Sequence, residues 1–375
     1  MTPRFLPLLT LALMGFAADD DEGLRDRIYP RSGPPIAAYE VVSEGADEVT
    51  FKVTSQSAAS KRKSRDVVRI AYAGLNEGAF KTGFDHLTAG RNAEAATAFT
   101  SGAEGGKEWH RVYGALLAGD ALERAGKFTE AATSFAIVGE GPTFEAHRLR
   151  LDAIYRQGFA LALAKNPAAD KVVATLIDLS KGRIGLPAEA RANAIRCALA
   201  IAKDPAAKIE ELARKATLRA DETESWFHFN RWLIATFRAQ GKAREAARAV
   251  EGMLSALEKD PALADAGRMV ELRLLKGTLQ AENDPQSAIL ELLKIDLMPA
   301  GTVDQQCEAR FLAGKLLLAE AKALEAQPDT AKDEKKVAFV AEQRATAKHL
   351  LMAAAASSSS KPAKDEAAKL AATLP

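Results

Sequence analysis

Three heptapeptides in this chain are near copies of one another. They are GRNAEAA from Gly90 to Ala96, GKFTEAA from Gly126 to Ala132, and GKAREAA from Gly241 to Ala247. The first two belong to a longer match, in which GFDHLTAGRNAEAATAF from Gly83 aligns with GDALERAGKFTEAATSF from Gly119, 36 residues later. Glycines at 83/119 and 90/126, Glu-Ala-Ala-Thr at 94–97/130–133 and phenylalanines at 99/135 coincide. Self-similarity at a fixed period of about 20–50 residues marks a stack of supersecondary units, none of which can bury its apolar face alone.

The residue types at these positions predict a helical hairpin. Gly83 or Gly119 lies inside the first helix, where a missing Cβ lets the partner helix come close. Gly90 or Gly126 ends that helix, because the left-handed conformation of a helix C-terminus suits glycine. Ala95 or Ala131 begins the tightest contact of the second helix. Phe99 or Phe135, one turn on, is placed to fill the space between hairpins. Alanine is abundant throughout and aromatic residues make up only 6% of the chain, a bias toward closely approaching helices rather than sheets.

At these residues the chain resembles the tetratricopeptide repeat (TPR) family, whose period is about 34 residues. The family's early Trp is replaced by Ala79 and Ala115, its Tyr by His86 and Leu122, and its terminal Pro is missing. A third copy keeps Gly241, Ala246 and Phe237 with Val250 at the seam, and a fourth fits more loosely through Gly277 and Ala288. The resemblance implies a mainly α fold, an α-solenoid of TPR-like hairpins over residues 75–356. It implies a binding surface for a protein or peptide partner rather than a particular chemistry. It also implies a groove lined by first helices, with Tyr113, Asp120, His228, Arg231 and Arg238 as partner-binding residues and Phe80, Phe84 and Leu116 beside them. The Lys and Asn residues of the family's peptide-carboxylate clamp are not matched.

Residues 18–74 read differently. IAAYEVVSE, DEVTFKVTS and DVVRIAYAG alternate apolar and polar residues and are rich in β-branched types, which predicts a small β-rich unit packed on the first helices. SKRKSR at Ser60–Arg65 reads as a solvated hairpin tip whose charges discourage edge pairing. Residues 1–17 have one cation, Arg4, an apolar run from Phe5 to Phe16, and small residues at Gly15 and Ala17. They predict a signal peptide cleaved after Ala17, hence an exported chain in the periplasm or cell envelope; a retained anchor is the alternative. Residues 357–375, SSSSKPAKDEAAKLAATLP, read as a flexible tail.

A formal net charge of +1 argues against nucleic acid as a partner. Cys197 and Cys307 are 110 residues apart in helical-looking segments and read as buried free thiols. The five histidines lack metal-binding spacing, and no nucleophile elbow or phosphate loop occurs. The expectation is therefore a non-catalytic scaffold with no cofactor and no metal. The one local concentration of aromatics, ESWFHFNRWLIATF from Glu224 to Phe237, opens an alternative in which Trp226 or Trp232 serves a carbohydrate-binding or enzyme-accessory module.

Overall fold

The computed structural model describes residues 25–182, 184–220, 222–260, 266–298, 303–357 and 361–374. The signal-peptide expectation falls on residues outside these. The described residues form six β-strands followed by fifteen α-helices. They divide into two compact units, one running up to Gln240 and the other from Gly241 onward. No helix among the described residues is long and apolar enough to cross a membrane.

The first unit begins with two three-stranded antiparallel sheets. Strands β1 (Asp26–Pro30), β2 (Ile36–Ala38) and β6 (Val67–Ala71) form one in the order β2-β1-β6; β3 (Glu40–Glu44), β4 (Glu48–Lys52) and β5 (Ser60–Lys63) form the other. The Asp26 carboxylate ties them together, accepting from the Val41 N–H of β3 at 2.9 Å and from the Ala73 N–H at 3.0 Å. Two sequence expectations change here. DVVRIAYAG supplies β6, but it pairs with β1, a five-residue strand stopped by Pro30 and too short to show a period. SKRK is not a hairpin tip: it is edge strand β5. Arg62 stands opposite the buried Val49, on the inward face, and reaches the Ser32 carbonyl at 3.4 Å. An inward-pointing cation on an outer strand is a device that blocks further pairing, so the charges serve the purpose anticipated for them from a different structural position.

The helices of this unit are α1 (Gly78–Thr88), α2 (Asn92–Ala103), α3 (Glu108–Arg124), α4 (Phe128–Gly139), α5 (Arg150–Leu163), α6 (Ala168–Ser180), α7 (Leu186–Lys203), the short α8 (Ile209–Lys215) and α9 (Thr223–Ala239). Each from α1 to α7 packs on the next; α7 and α9 both return to α5. The β-rich segment belongs to the same compact unit as these helices rather than to a domain of its own.

The hairpin geometry is visible atom by atom. A Cβ placed on Gly83 would lie 2.5 Å from the Phe99 ring, and one on Gly119 would lie 2.5 Å from Phe135. Phe99 and Phe135 are fully buried, so each ring seats on the bare backbone of its own hairpin's first helix, not between hairpins as expected from the sequence. The turn between the two helices closes in the same way each time. Gly90 N–H bonds to Leu87 O at 3.0 Å and Arg91 N–H to His86 O at 2.9 Å; the Gly126 and Lys127 pair repeats this on Glu123 and Leu122. Both glycines sit at positive φ, +71° and +74°. The α5–α6 turn has the same two bonds with Lys165 at φ 55°, a left-handed residue that carries a side chain. That substitution hid the hairpin from a search for glycine.

The second unit contains α10 (Ala243–Lys259), α11 (Ala266–Gln280), α12 (Pro285–Asp296), α13 (Val303–Glu325), α14 (Glu334–Ser357) and α15 (Lys361–Ala372), again packed in sequence. Here leucine replaces phenylalanine at the seam: a Cβ on Gly277 would meet Leu292 at 2.7 Å, and one on Gly314 would meet Leu351 at 2.9 Å. The C-terminal stretch, expected as a tail, forms helix α15 on α13 and α14. Ala367, Ala371 and Leu374 are buried at helical spacing, an amphipathic stripe of residues too small to stand out beside the serines. Cys197 and Cys307 are buried free thiols, and burial pushes the Cys197 thiol up to about 12.

Two substitutions probe this scheme. Gly119→Ala drives a methyl group into Phe135 and is expected to lower stability by about 1–3 kcal/mol. Lys165→Gly relieves the left-handed strain and is expected to raise stability by up to about 1 kcal/mol. Urea denaturation of both variants checks the pair.

Candidate functional site

The first unit concentrates its ionisable side chains inside, in three clusters that all touch α5 or the turn before it. Arg148, Asp152 and Arg156 are spaced four residues apart, so they share one side of the chain as it enters and climbs α5.

The uppermost cluster joins the β-rich segment to the helices. Glu44, almost fully buried at the end of β3, accepts from Tyr72 Oη at 2.6 Å, from Tyr113 Oη at 3.4 Å and from Arg148 Nε at 2.5 Å. Arg148 Nη2 also donates to Tyr113 Oη at 3.3 Å. Burial and the adjacent Glu44 raise the pKa values of both tyrosines far above the ordinary phenol value, so they remain hydrogen-bond donors.

In the second cluster, Arg156 Nη2 bonds Asp120 and also Glu123, the latter at 2.6 Å. His228 of α9 joins through Nε2 to Glu123 at 3.3 Å and through Nδ1 to Tyr155 Oη at 2.9 Å. A carboxylate only accepts, so Nε2 carries the proton and Nδ1 receives the Tyr155 hydroxyl. Burial opposes the charge on Glu123, but Arg156 and His228 outweigh it and bring the carboxyl down to about 2. Burial, helped by Arg156, holds His228 below its ordinary value and neutral.

Arg191 of α7 organises the third cluster. It bonds Asp152 of α5 at 2.8 Å, Glu222 at the start of α9, and Ser225 Oγ at 3.0 Å; Ser225 in turn bonds Asp152. Two carboxylates share one guanidinium here, as they do around Arg156. Such an arrangement fixes three helices relative to one another, and every carboxylate in it is already engaged as an acceptor.

Of the residues expected on an open groove, three lie in these clusters instead. Tyr113 is buried under Glu44, Asp120 pairs with Arg156, and His228 is wedged between Glu123 and Tyr155. Their polar ends point into the packed interface because the first helices meet each other along that side. Arg231 and Arg238 are half-buried on α9, Arg231 with its guanidinium 5.9 Å from the Phe227 ring. Phe80 and Phe84 are core residues against Phe99. Trp232 is buried against Phe159 and Phe229, which removes it as a platform for a sugar ring, while Trp226 is half-buried.

A pocket of ≈ 200 Å³ opens beside the first cluster, between β3 and the start of α3. The outer edge of β3 is covered on both sides of it. Asp26 caps the Val41 N–H at one end, and at the other the segment 146–148 bridges to Glu44–Ala46, with Arg148 N–H on Glu44 O at 3.1 Å and Ala46 N–H on Ala146 O at 2.5 Å. Between these caps Val42 and Ser43 face the pocket, together with Lys107, Glu108, Trp109 and His147. Lys107 reaches across the mouth to Glu40 at 3.2 Å, and the Trp109 ring stacks on Tyr72 with centroids 4.6 Å apart. Sequence reasoning missed this site, since its residues come from four separated segments; the one usable signal nearby was the four-residue spacing of Arg148, Asp152 and Arg156. Among the described residues no group of three or more His, Cys, Asp or Glu side chains is placed to hold a metal ion. No protein-family profile, no curated protein and no solved structure matches the chain.

Removing one partner of a buried cluster strands the others. Arg156→Ala leaves Asp120 and Glu123 without their cation and is expected to cost about 3–5 kcal/mol, read by urea denaturation. Acid has a related effect of known sign. His228 and Glu123 both have lowered native values, so the stability they contribute is complete at neutral pH. It declines first as pH falls below about 6.5, where the unfolded chain's histidine takes a proton, and again from about 4.5 toward 2. His228→Gln, which keeps a donor for Glu123, is expected to flatten the first decline and leave the second.

Proposed function

We propose that this chain is an exported, non-catalytic scaffold, an α-solenoid of TPR-like hairpins that binds a protein or peptide partner in the cell envelope. The observation that carries the reading is the repeated seam, a bare glycine under a large apolar residue at Gly83–Phe99, Gly119–Phe135, Gly277–Leu292 and Gly314–Leu351. Repetition of one hairpin seam is the construction of proteins that work by presenting surface rather than by chemistry. The ionisable groups of the first unit support the same reading: they are spent on holding α3, α5, α7 and α9 together, which makes a rigid presenting frame. The exported location rests on the leader-like residues 1–17.

On this reading Arg231 and Arg238 of α9, cations that reach the surface of the first unit without belonging to the three clusters, contribute to partner contact. The test is crosslinking of the chain from residue 18 onward in envelope extract, followed by purification of the captured protein and direct titration. The expected result is saturable binding, weakened about tenfold or more in a folded Arg231→Ala, Arg238→Ala double variant. Titrations without saturable binding would sink the scaffold reading.

A further inference from the structure

The pocket between β3 and α3 carries hydrogen-bonding groups that the protein itself leaves unused. His147 is only 5% exposed and lines the pocket. Its Nδ1 accepts the Leu149 N–H at 3.1 Å, which places the ring proton of the neutral imidazole on Nε2; that N–H has no hydrogen-bond partner among the described residues. That N–H is reached by solvent, so a ligand acceptor can take the place of water on it. The indole N–H of Trp109, a second lining residue, also has no partner among the described residues. Acceptors are present as well: the Ser43 hydroxyl and the Glu108 carboxylate line the same pocket, both exposed and neither bonded to any described side chain. The deep carboxylate, Glu44, is saturated by Tyr72, Tyr113 and Arg148 and has nothing to offer a ligand.

Charge then decides among ligand classes. Lys107 is matched by Glu40 and Glu44 by Arg148, so the unmatched charge lining the pocket is that of Glu108. A carboxylate ligand would meet that negative charge. An ammonium ligand has no acceptor to offer His147 or Trp109. A neutral group with an acceptor on one side and two donors on the other answers both sets, and its size suits ≈ 200 Å³. We propose that this pocket recognises a primary carboxamide, whose oxygen takes up the free N–H donors of His147 and Trp109 and whose amino group serves Ser43 and Glu108.

A carboxamide reaches such a pocket either as the side chain of glutamine or asparagine in a peptide, or as a free amide such as glutamine itself. The peptide source deepens the scaffold reading and rests on it; the free-amide source does not. The chain has three tryptophans, so three indole N–H signals report on the titration, with Trp109 assigned through Trp109→Phe and the His147 ring followed by ¹⁵N labelling.

Four probes are titrated into the full chain: L-glutamine, Ac-Gly-Gln-Gly-NHMe, and the same peptide with Glu or Leu at the centre. The proposal expects saturable shifts of the Trp109 indole and His147 Nε2 with glutamine-bearing probes, about tenfold weaker with Glu or Leu. Ser43→Ala and Glu108→Gln, both at exposed positions, are expected to weaken binding about three- to tenfold without disturbing the fold. Binding of free glutamine but not of the peptide supports the pocket and removes the peptide-scaffold reading for it. A peptide that shifts other signals while Trp109 and His147 stay still overturns the pocket and leaves the scaffold reading intact. Equal shifts with all four probes, or none with any, overturn the carboxamide assignment and leave His147 bonded to water.

Discussion

The seating of a large apolar side chain on the bare backbone of a glycine is the contact on which the helical packing of this protein depends. At Gly119 the Phe135 ring occupies the space that a Cβ would take, so the two helices of the hairpin approach until ring and backbone touch. Each fully buried ring of this kind contributes about 1.5–3 kcal/mol through removal from water. The same contact also sets interhelical spacing, which a merely apolar interface would leave adjustable. Leu292 and Leu351 show that the contact needs bulk rather than aromaticity, and the two units obey the same local rule.

Once hairpins are this close, their polar residues have little room to remain in water. The clusters around Arg148, Arg156 and Arg191 follow from that crowding. Charged groups drawn into an interface keep their charge only if partners are supplied there, and each of these guanidinium groups is met by one or two carboxylates. The net gain from such clusters is modest compared with packing, because desolvation offsets most of the attraction. Their value is selectivity: a helix placed in the wrong register would leave Glu123 or Asp152 buried without a cation. The β-rich segment is held by the same logic, since Glu44 at the end of β3 finds its cation, Arg148, at the entrance to α5.

The pocket beside Glu44 is a by-product of this junction. β3 must end where Arg148 can reach it, α3 must start where Tyr113 can, and the gap between those two requirements is lined by whatever the chain places there. What it places there is His147 and Trp109, whose rings are packed but whose N–H donors bond no described residue, and Ser43 and Glu108 with unused acceptors.

Local chemistry was legible in the sequence wherever it repeats at a short, fixed interval. Glycine at positive φ, alanine one turn before phenylalanine, and alternating strands can be read directly because each reflects a constraint within a few residues of itself. The α5–α6 turn escaped because Lys165 accepts a conformation usually left to glycine, and α15 escaped because a stripe of alanines carries little contrast. SKRK was read by its charge, which is right for an edge, but strand pairing is decided by the partner and not by the segment. Tyr113, Asp120 and His228 were identified as notable from their place in the repeat. Whether they face solvent or one another depends on how α3, α5 and α9 meet, and that distance is not written in any one of them. The sequence by itself determined the repeated hairpins and the glycine turns that close them, since those follow from steric rules between neighbours in the chain. Only the tertiary structure decided which polar groups pair and which are left free around a pocket. Those pairs join residues 30 to more than 100 positions apart, and burial assigns their partners only after the chain has folded.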